Sequence, residues 1–394
     1  MNAITFSPAR PDPLLSGLAI TLIAVGLVAI SSASIEYGDH YFDNPWHHTI
    51  RHSIYLVLAV AAAGVAYMVP TTFWQRTSPW WLLLGFALLI LVLLPGIGRN
   101  VNGSQRWLPI GPLTVQPSEV AKFAVVLYLA GFLVRHQATV RSHWEGLAKP
   151  VGILAMVALL LLLEPDFGAT VITTGTVFGM LFLAGARLIY VLGLVGVAVG
   201  ALVVMVVSAP YRLQRLTAYT DPWADPYGSG FQLIQSLIAY GRGEWWGVGL
   251  GNSIQKLFYL PEAHTDFVFS IWAEETGLVG STLVILVYAL LVGRILHIGY
   301  TSIRLDDAFA AYVCYGIGLI FAGQAFVNMG VSSGLLPTKG LTLPLISYGG
   351  SSLIISCVML AIVLRIEHNN RLSGGQSGKK RRAGSRRAAG RARA

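Results

Sequence analysis

Charged residues and cysteines are both scarce in this chain. Of its 394 residues only 11% are Asp, Glu, Lys or Arg, whereas 55% are apolar or aromatic. A soluble domain carries about 25% charged residues, so the composition excludes a disordered chain and argues against an ordinary water-soluble enzyme. The two cysteines, Cys314 and Cys357, both lie in apolar runs, which excludes a disulfide framework and a cysteine metal site.

Positive charge is concentrated at the carboxyl end of the chain. From Arg365 onward there are ten Lys or Arg residues and one acid, Glu367, so the rest of the chain holds 17 basic and 17 acidic residues. The net charge of +9 therefore says nothing about the substrate of the folded part. The composition predicts a disordered basic cytoplasmic tail over residues 369–394, attracted to anionic lipid rather than to nucleic acid.

Ten apolar runs divide the remainder of the chain. A membrane-spanning helix needs about 20 mostly apolar residues, and runs that are continuous rather than alternating indicate helices and not a barrel. We therefore predict an all-α integral membrane protein with about ten transmembrane helices. The runs begin near Leu14, Ile54, Trp80, Val120, Val151, Ala169, Leu188, Phe267, Ala308 and Leu341.

Basic residues in the short loops predict the orientation of these helices. With both termini in the cytoplasm, the inner loops carry eight Lys or Arg and the short outer loops carry four. The predicted organisation is a cytoplasmic segment (residues 1–13), a ten-helix membrane domain (14–368) and the tail. One large outer loop, residues 209–266, lies between the seventh and eighth helices and contains a short amphipathic helix that starts near Phe231.

Glu119 and Lys122 are the clearest charged residues within an apolar run. They are three residues apart at the start of the fourth run, so they lie on one face of a helix and can pair. Ionisable residues at membrane depth are candidates for function, and a structural ion pair is an equally good explanation.

Carboxylates also mark the predicted outer ends of two helices. Glu164 and Asp166 flank Pro165 on a turn, where they could orient a sugar or a cation. Asp266 ends the large outer loop just where an apolar helix begins. It is either the N-cap of that helix or a general base whose pKa partial desolvation raises.

Two further outer segments complete the pattern. His264 and Glu262 precede Asp266 within the sequence LPEAHTDF. The last outer loop, residues 334–352, is rich in glycine and proline and has Lys339 as its only charge. Irregular backbone at membrane depth is tolerated where it is buried or lines a cavity, and its N–H groups could bind an anionic head group.

Together these segments resemble the SEDS family (shape, elongation, division, sporulation) of polytopic cell-wall polymerases, and its cell-division branch in particular. The resemblance covers roughly residues 15–368. It is carried by the ordered set NGSQRW (102–107), QPSE with Lys122 (116–122), EPDFG (164–168), YGSGFQ (227–232), LPEAHTDF (260–267), AEETG (273–277) and GLLPTKG with SYGGSS (334–352).

The resemblance implies a peptidoglycan glycosyltransferase. It would polymerise lipid II, a disaccharide-pentapeptide on undecaprenyl pyrophosphate, for septal wall synthesis at the outer face of the inner membrane. The essential aspartate of the family falls on Asp266, which would take the proton from the acceptor 4-hydroxyl. The intramembrane acid and lysine of the family fall on Glu119 and Lys122.

A cation would stabilise the negative charge that develops on the leaving pyrophosphate. By location, Arg106, Arg242 and Lys339 are the candidates, and Asp166 and His264 are further substrate-binding candidates. Lipid II carries its own leaving group, so the sequence requires no cofactor, although a divalent cation (Mg or Mn) could share this role.

The implied partners belong to the division machinery at the septum. They are a class B penicillin-binding transpeptidase of the FtsI type and proteins like FtsQ, FtsL, FtsB and FtsN, with no role for nucleic acid. Two alternatives stay open: a lipid II flippase, which would need no covalent chemistry, and a non-catalytic scaffold for the transpeptidase, which would not need Asp266.

The spacing of Glu119 and Lys122 leads to a first prediction. Removing one charge leaves the other unpaired at membrane depth, which can cost about 3–5 kcal/mol, so each single alanine variant should be severely impaired. The double variant with apolar residues should fold better than the sum of the singles predicts. A double-mutant cycle on folded yield checks this, and additive effects would show that the two residues do not interact.

Overall fold

The computed structural model describes residues 11–101, 104–111, 113–207, 219–337 and 340–391. Within these ranges nine helices are long and apolar enough to cross a membrane, and a tenth apolar helix, α7, has 17 residues. In chain order the helices are α1 (Pro13–Phe42), α2 (His47–Met68), α3 (Thr71–Leu93), α4 (Pro117–Arg135), α5 (Gln137–Ser142), α6 (Glu145–Leu163), α7 (Phe167–Leu183), α8 (Leu188–Val207), α9 (Phe231–Gly243), α10 (Val268–Arg304), α11 (Ala308–Ser332) and α12 (Gly350–Arg391).

The predicted all-α membrane fold is confirmed, with four wrong helix starts. Helices α2, α3 and α6 begin 7, 9 and 6 residues before the predicted Ile54, Trp80 and Val151, because their first turns are helical but contain polar or aromatic residues. Helix α12 begins at Gly350 and not near Leu341. Hydropathy finds the apolar part of a helix, whereas the helix itself extends as far as its backbone bonding allows.

The last helix continues to Arg391, through the segment for which the sequence predicts disorder. The disorder of residues 369–394 stays a prediction, as do the boundaries of the cytoplasmic segment and of the membrane domain.

Helix α4 is the centre of the bundle. Almost all of its residues are buried, and it contacts α3, α7, α11 and α12. Helix α8, by contrast, is almost entirely uncovered and lies at the periphery. Polar side chains on α4 are therefore enclosed by protein.

Helix α10 is broken at Gly277. This residue has φ +67°, a left-handed conformation that favours glycine. A Cβ built on Gly277 would lie 2.6 Å from the carbonyl oxygen of Trp245, which belongs to the loop after α9. Beyond the break, Leu278 N donates to Glu244 O at 2.9 Å. The loop between α9 and α10 therefore packs into the break.

Glu274 fixes this same loop just before the break. Its carboxylate accepts from Ser253 Oγ at 2.5 Å, Ile254 N at 3.1 Å and Gln255 N at 3.3 Å, and it also pairs with Arg242 at 2.7 Å. One buried carboxylate thus accepts hydrogen bonds from three consecutive residues of the loop.

Glu275, the next residue, joins three parts of the chain. It accepts from Lys256 Nζ at 3.2 Å in the loop and from Ser32 Oγ at 2.5 Å on α1. Lys256 also donates to Ser32 Oγ at 3.0 Å and to Gly251 O at 2.6 Å. Both members of this ion pair are buried. Loss of either residue would therefore leave the other as an unpaired buried charge, which is destabilising.

A small antiparallel sheet follows α3, where no strand is predicted from the sequence. Strand β2 (Ser104–Ile110) pairs with β1 (Arg99–Val101) on one side and with β3 (Leu113–Val115) on the other. This sheet lies at the end of the bundle that also holds Asp266, which we call the Asp266 end. It presents Arg106 to the turn between α6 and α7.

The segment before α12 is irregular but buried. Leu343, Leu345 and Ile346 are each at most 2% exposed. A Cβ built on Gly26 of α1 would lie 2.7 Å from Leu345 O, so the glycine allows this close approach. Pro344 and the Gly349–Gly350 pair explain why the helix begins only at residue 350.

The buried pair of Lys256 and Glu275 leads to a second prediction. Lys256→Met should destabilise the protein by about 3–5 kcal/mol, because it leaves the Glu275 carboxylate buried without a cation. Adding Glu275→Gln should recover part of that loss. Thermal unfolding in detergent measures both effects, with Lys149→Met, which changes an exposed lysine, as the control. An equal midpoint for Lys256→Met and Lys149→Met would contradict the prediction.

Candidate active site

Asp266 lies just before α10 without capping it. The helix starts at Val268, its N-cap residue is Phe267, and no side chain in the described part of the chain makes a capping hydrogen bond. The N-cap alternative is therefore wrong for Asp266. Its carboxyl group is available for another role.

The surroundings of Asp266 raise its pKa to about 7. Burial is the main cause, the carboxylates of Glu262 and Asp166 add to it, and the guanidinium of Arg106 opposes it. A carboxyl group with this pKa is ionised in about half of the molecules near neutral pH, which suits a group that takes up and releases a proton.

Arg106 connects the sheet to the turn after α6. Its Nε donates to Glu164 O at 3.1 Å and its Nη2 donates to Pro165 O. Both acceptors are neutral carbonyls, so these bonds hold the guanidinium in place without neutralising it. Its positive charge acts on the pKa of both Asp266 and Glu164.

Asp166 has a structural role that can be read directly. Its Oδ1 accepts from Ala169 N at 3.1 Å, which makes it the N-cap of α7. Its Oδ2 lies 3.5 Å from Nε2 of Gln116, whose own backbone N donates to Ser351 Oγ at 3.2 Å. The first residues of α4, α7 and α12 therefore meet at the Asp266 end.

Glu164 is fully buried beside this group. Neither of its carboxyl oxygens has a hydrogen-bond partner among the described residues. Burial raises its pKa to about 8, the neighbouring Asp166 contributes, and Arg106 opposes the shift. Glu164 is therefore mostly protonated at neutral pH.

His264 belongs to an aromatic cluster rather than to the carboxylate group. Its ring lies 4.8 Å from the ring of His48, 5.2 Å from Tyr37 and 5.8 Å from Tyr348. Burial lowers its pKa to about 4, so the imidazole is neutral at physiological pH. His264 can act there as a hydrogen-bonding group but not as a cation.

Glu119 and Lys122 form the ion pair that their spacing predicts. Lys122 Nζ donates to Glu119 Oε1 at 2.8 Å, and both side chains are enclosed within the bundle. A contribution of this pair to substrate binding stays a prediction.

The two remaining cation candidates differ in their situation. Arg242 is bonded to Glu274 at 2.7 Å, so its charge is already compensated by the carboxylate that fixes the loop. Lys339 lies outside the described residues. Among the cations that the sequence singled out, Arg106 is the one that the structure brings together with Asp266.

Three contributors were missed by the sequence analysis. Lys256 compensates Glu275, Gln116 bridges Asp166 and Ser351, and Asn328 contacts the backbone of Asp266. Asn328 stands alone as a polar residue in the apolar sequence AFVNMGV, and such a residue in a span is itself a signal of function. The other two lie in loops, where polar residues are ordinary.

The described residues contain no group of three or more His, Cys, Asp or Glu side chains placed to hold a metal ion.

Known proteins resemble this chain over most of its length. The family model described as "Cell cycle protein" (FtsW/RodA/SpoVE) matches residues 13–372. The probable peptidoglycan glycosyltransferase FtsW of Legionella pneumophila is 52% identical over 360 residues, which cover 91% of each chain. That of Pseudomonas fluorescens is 53% identical over 360 residues, which cover 91% of this chain and 88% of the relative.

Solved structures share the fold. A chain from a peptidoglycan synthase complex, described in terms of the coordination of polymerization and crosslinking, aligns with a TM-score of 0.73 at 31% identity. The rod shape determining protein RodA of Thermus thermophilus aligns with a TM-score of 0.67 at 28% identity. Both alignments cover 92% of this chain and 98% of the other. The chain belongs to the FtsW/RodA/SpoVE family of cell cycle proteins, the SEDS family whose motifs it carries.

Proposed function

We infer that this chain is a peptidoglycan glycosyltransferase that polymerises lipid II into glycan strands, with Asp266 as the general base. The observation that carries the inference is a carboxyl group that caps no helix, has a pKa of about 7 and lies in the field of a fixed guanidinium. The names of relatives about 50% identical to this chain support the same activity.

The reaction needs one proton acceptor and stabilisation of one leaving group. The acceptor 4-hydroxyl oxygen attacks the anomeric carbon of the donor while the bond from that carbon to the pyrophosphate oxygen breaks. Asp266 takes the hydroxyl proton, and the electron pair of the broken bond stays on the pyrophosphate. No nucleotide is consumed, because the donor carries its own leaving group.

Arg106 is the best placed cation for the departing pyrophosphate. Its hydrogen bonds to two neutral carbonyls orient it, and among the described residues it forms no ion pair, unlike Arg242. A preorganised cation of this kind stabilises developing negative charge without reorganising during the reaction. Because Glu164 is mostly protonated at neutral pH, it adds little repulsion toward an incoming anion.

We place this activity in the bacterial inner membrane at the division septum, with both termini cytoplasmic. A class B penicillin-binding transpeptidase is the proposed partner, because a structural neighbour of this chain comes from a peptidoglycan synthase complex. Contacts with other division proteins follow from the family resemblance alone.

The flippase and the scaffold remain the competing functions. Lipid II translocation by a flippase should survive loss of the Asp266 carboxylate, and a scaffold should tolerate every polar substitution that leaves the fold intact. Neither function accounts for the raised pKa of the Asp266 carboxyl group, which caps no described helix and interacts with Arg106.

Replacement of Asp266 by Asn tests the proposed base. Asn has the same shape but cannot accept the proton, so polymerisation of lipid II by the purified protein with its transpeptidase should fall about 100- to 10,000-fold. Folding and partner binding should be unchanged.

A matched control is Asp307→Asn at the opposite end of the bundle. Asp307 is the N-cap of α11 and accepts from Ala310 N at 3.0 Å. Asn caps as well as Asp, so this variant should polymerise normally. Equal activity of the two variants would remove Asp266 from the chemistry.

The raised pKa of Asp266 predicts the pH dependence of the rate. The base acts when ionised, so kcat/KM should rise with pH through about 7. Glu262→Gln removes a negative neighbour that raises the pKa of Asp266, and the ascending limb should therefore move to lower pH. Asp39→Asn, which changes an exposed residue of α1, should leave the limb in place. A limb that stays unmoved in Glu262→Gln would contradict the assignment of that limb to Asp266.

A further inference from the structure

A single buried amide joins the two segments that meet at Asp266. Asn328, on α11, is 1% exposed. Its Nδ2 donates to Asp266 O at 2.8 Å and to Leu341 O at 2.6 Å. Both neighbours are carbonyls, which only accept hydrogen bonds, so the orientation of the amide follows from the chemistry of its partners.

Gly340 approaches the same aspartate from the opposite segment. A Cβ built on Gly340 would lie 2.5 Å from Asp266 Oδ2 and 3.4 Å from its Cγ. The φ of Gly340 lies outside the left-handed region, so its backbone conformation does not require glycine. Glycine is needed at position 340 because the Asp266 carboxylate occupies the space that a side chain would take.

We propose that Asn328 and Gly340 are positioning residues for Asp266: the amide fixes the backbone of the aspartate against the segment after residue 340, and the glycine leaves the space in which its carboxylate stands. This inference rests on the proposed role of Asp266 as general base. Neither residue is assigned any contact with substrate.

The need for such positioning follows from the local structure. Asp266 caps no helix, so its side chain gains no orientation from α10. It lies at the end of a loop in which Glu262 has φ +56°, an uncommon backbone conformation for a residue other than glycine. A general base must stay within hydrogen-bond reach of its proton, and a misplacement of about 1 Å can cost about 100-fold in rate.

Asn328→Leu tests the backbone contact. The variant keeps a similar volume and removes the donor, so kcat for lipid II polymerisation should fall about 100-fold, with KM changed less than about threefold. Loosening of the loop should admit water to the carboxyl group and shift the ascending pH limb downward. A purely structural role would lower the yield of active protein without moving that limb.

Gln324→Leu is the matched control for this variant. Gln324 lies one turn earlier on α11, is also 1% exposed, and its Nε2 has no hydrogen-bond partner among the described residues. Removing its amide changes a buried polar group without affecting Asp266. Its kcat and pH limb should match those of the unmodified protein.

Gly340→Ala tests the space beside the carboxylate and does not depend on the stability of Asn328→Leu. The new methyl group must displace the Asp266 carboxylate, so kcat should again fall about 100-fold while the thermal midpoint stays close to that of the unmodified protein. The control is Gly323→Ala, where the nearest atom to an added Cβ is the flexible end of Ile172, at 3.2 Å.

The outcomes separate this inference from the proposed function. If Asp266→Asn is inactive while Asn328→Leu and Gly340→Ala polymerise like their controls, the positioning role is wrong and the base assignment stands. If Asp266→Asn is fully active, the base assignment fails and the positioning role fails with it. Loss of kcat in both positioning variants, together with a shifted pH limb in Asn328→Leu and normal controls, supports the inference.

Discussion

Two adjacent buried carboxylates on α10 need hydrogen-bond donors, and this requirement organises the loop that leads to Asp266. Glu274 and Glu275 lie inside an apolar helix, and the carboxylate of each accepts hydrogen bonds from the loop that leads to Asp266. The cost of leaving such charges unpaired in a poorly solvated environment ties the loop to the helix more firmly than apolar contact alone would. The position of Asp266 is thus set by ion pairs and hydrogen bonds made 10 to 13 residues before it in the sequence.

Two arginines at this end illustrate how context decides the use of a charge. Arg242 donates to the carboxylate of Glu274, which compensates its charge. Arg106 donates to two neutral backbone carbonyls, which do not. Arg242 makes one hydrogen bond, to a carboxylate, and Arg106 makes two, to neutral carbonyls, so the positive charge of Arg106 acts more strongly on neighbouring groups. The presence of an arginine therefore does not by itself identify an anion site. The groups to which the guanidinium donates decide whether its charge is available to an anion.

The helices and one ion pair could be predicted because their signals are local. Apolar runs of sufficient length reveal spans, and a helical spacing of three reveals the pair of Glu119 and Lys122. The contacts of Asn328 and Lys256 could not be predicted, because they join segments far apart in the sequence that only packing brings together. The sheet around Arg106 could not be predicted for a related reason: its three strands are short, and none alternates strongly enough to stand out from a loop.

The site draws its parts from widely separated segments of the chain. Arg106, Asp166, Asp266 and Asn328 come from four separate connections or helices, and the segment at residue 340 precedes only the final span. During synthesis the carboxylate therefore remains without its full surroundings until that last segment has entered the membrane and the helices have associated. A chain interrupted between Asn328 and Gly340 would carry the aspartate and the amide that binds its backbone, but not the segment against which its carboxylate lies, so an incomplete protein lacks part of the site.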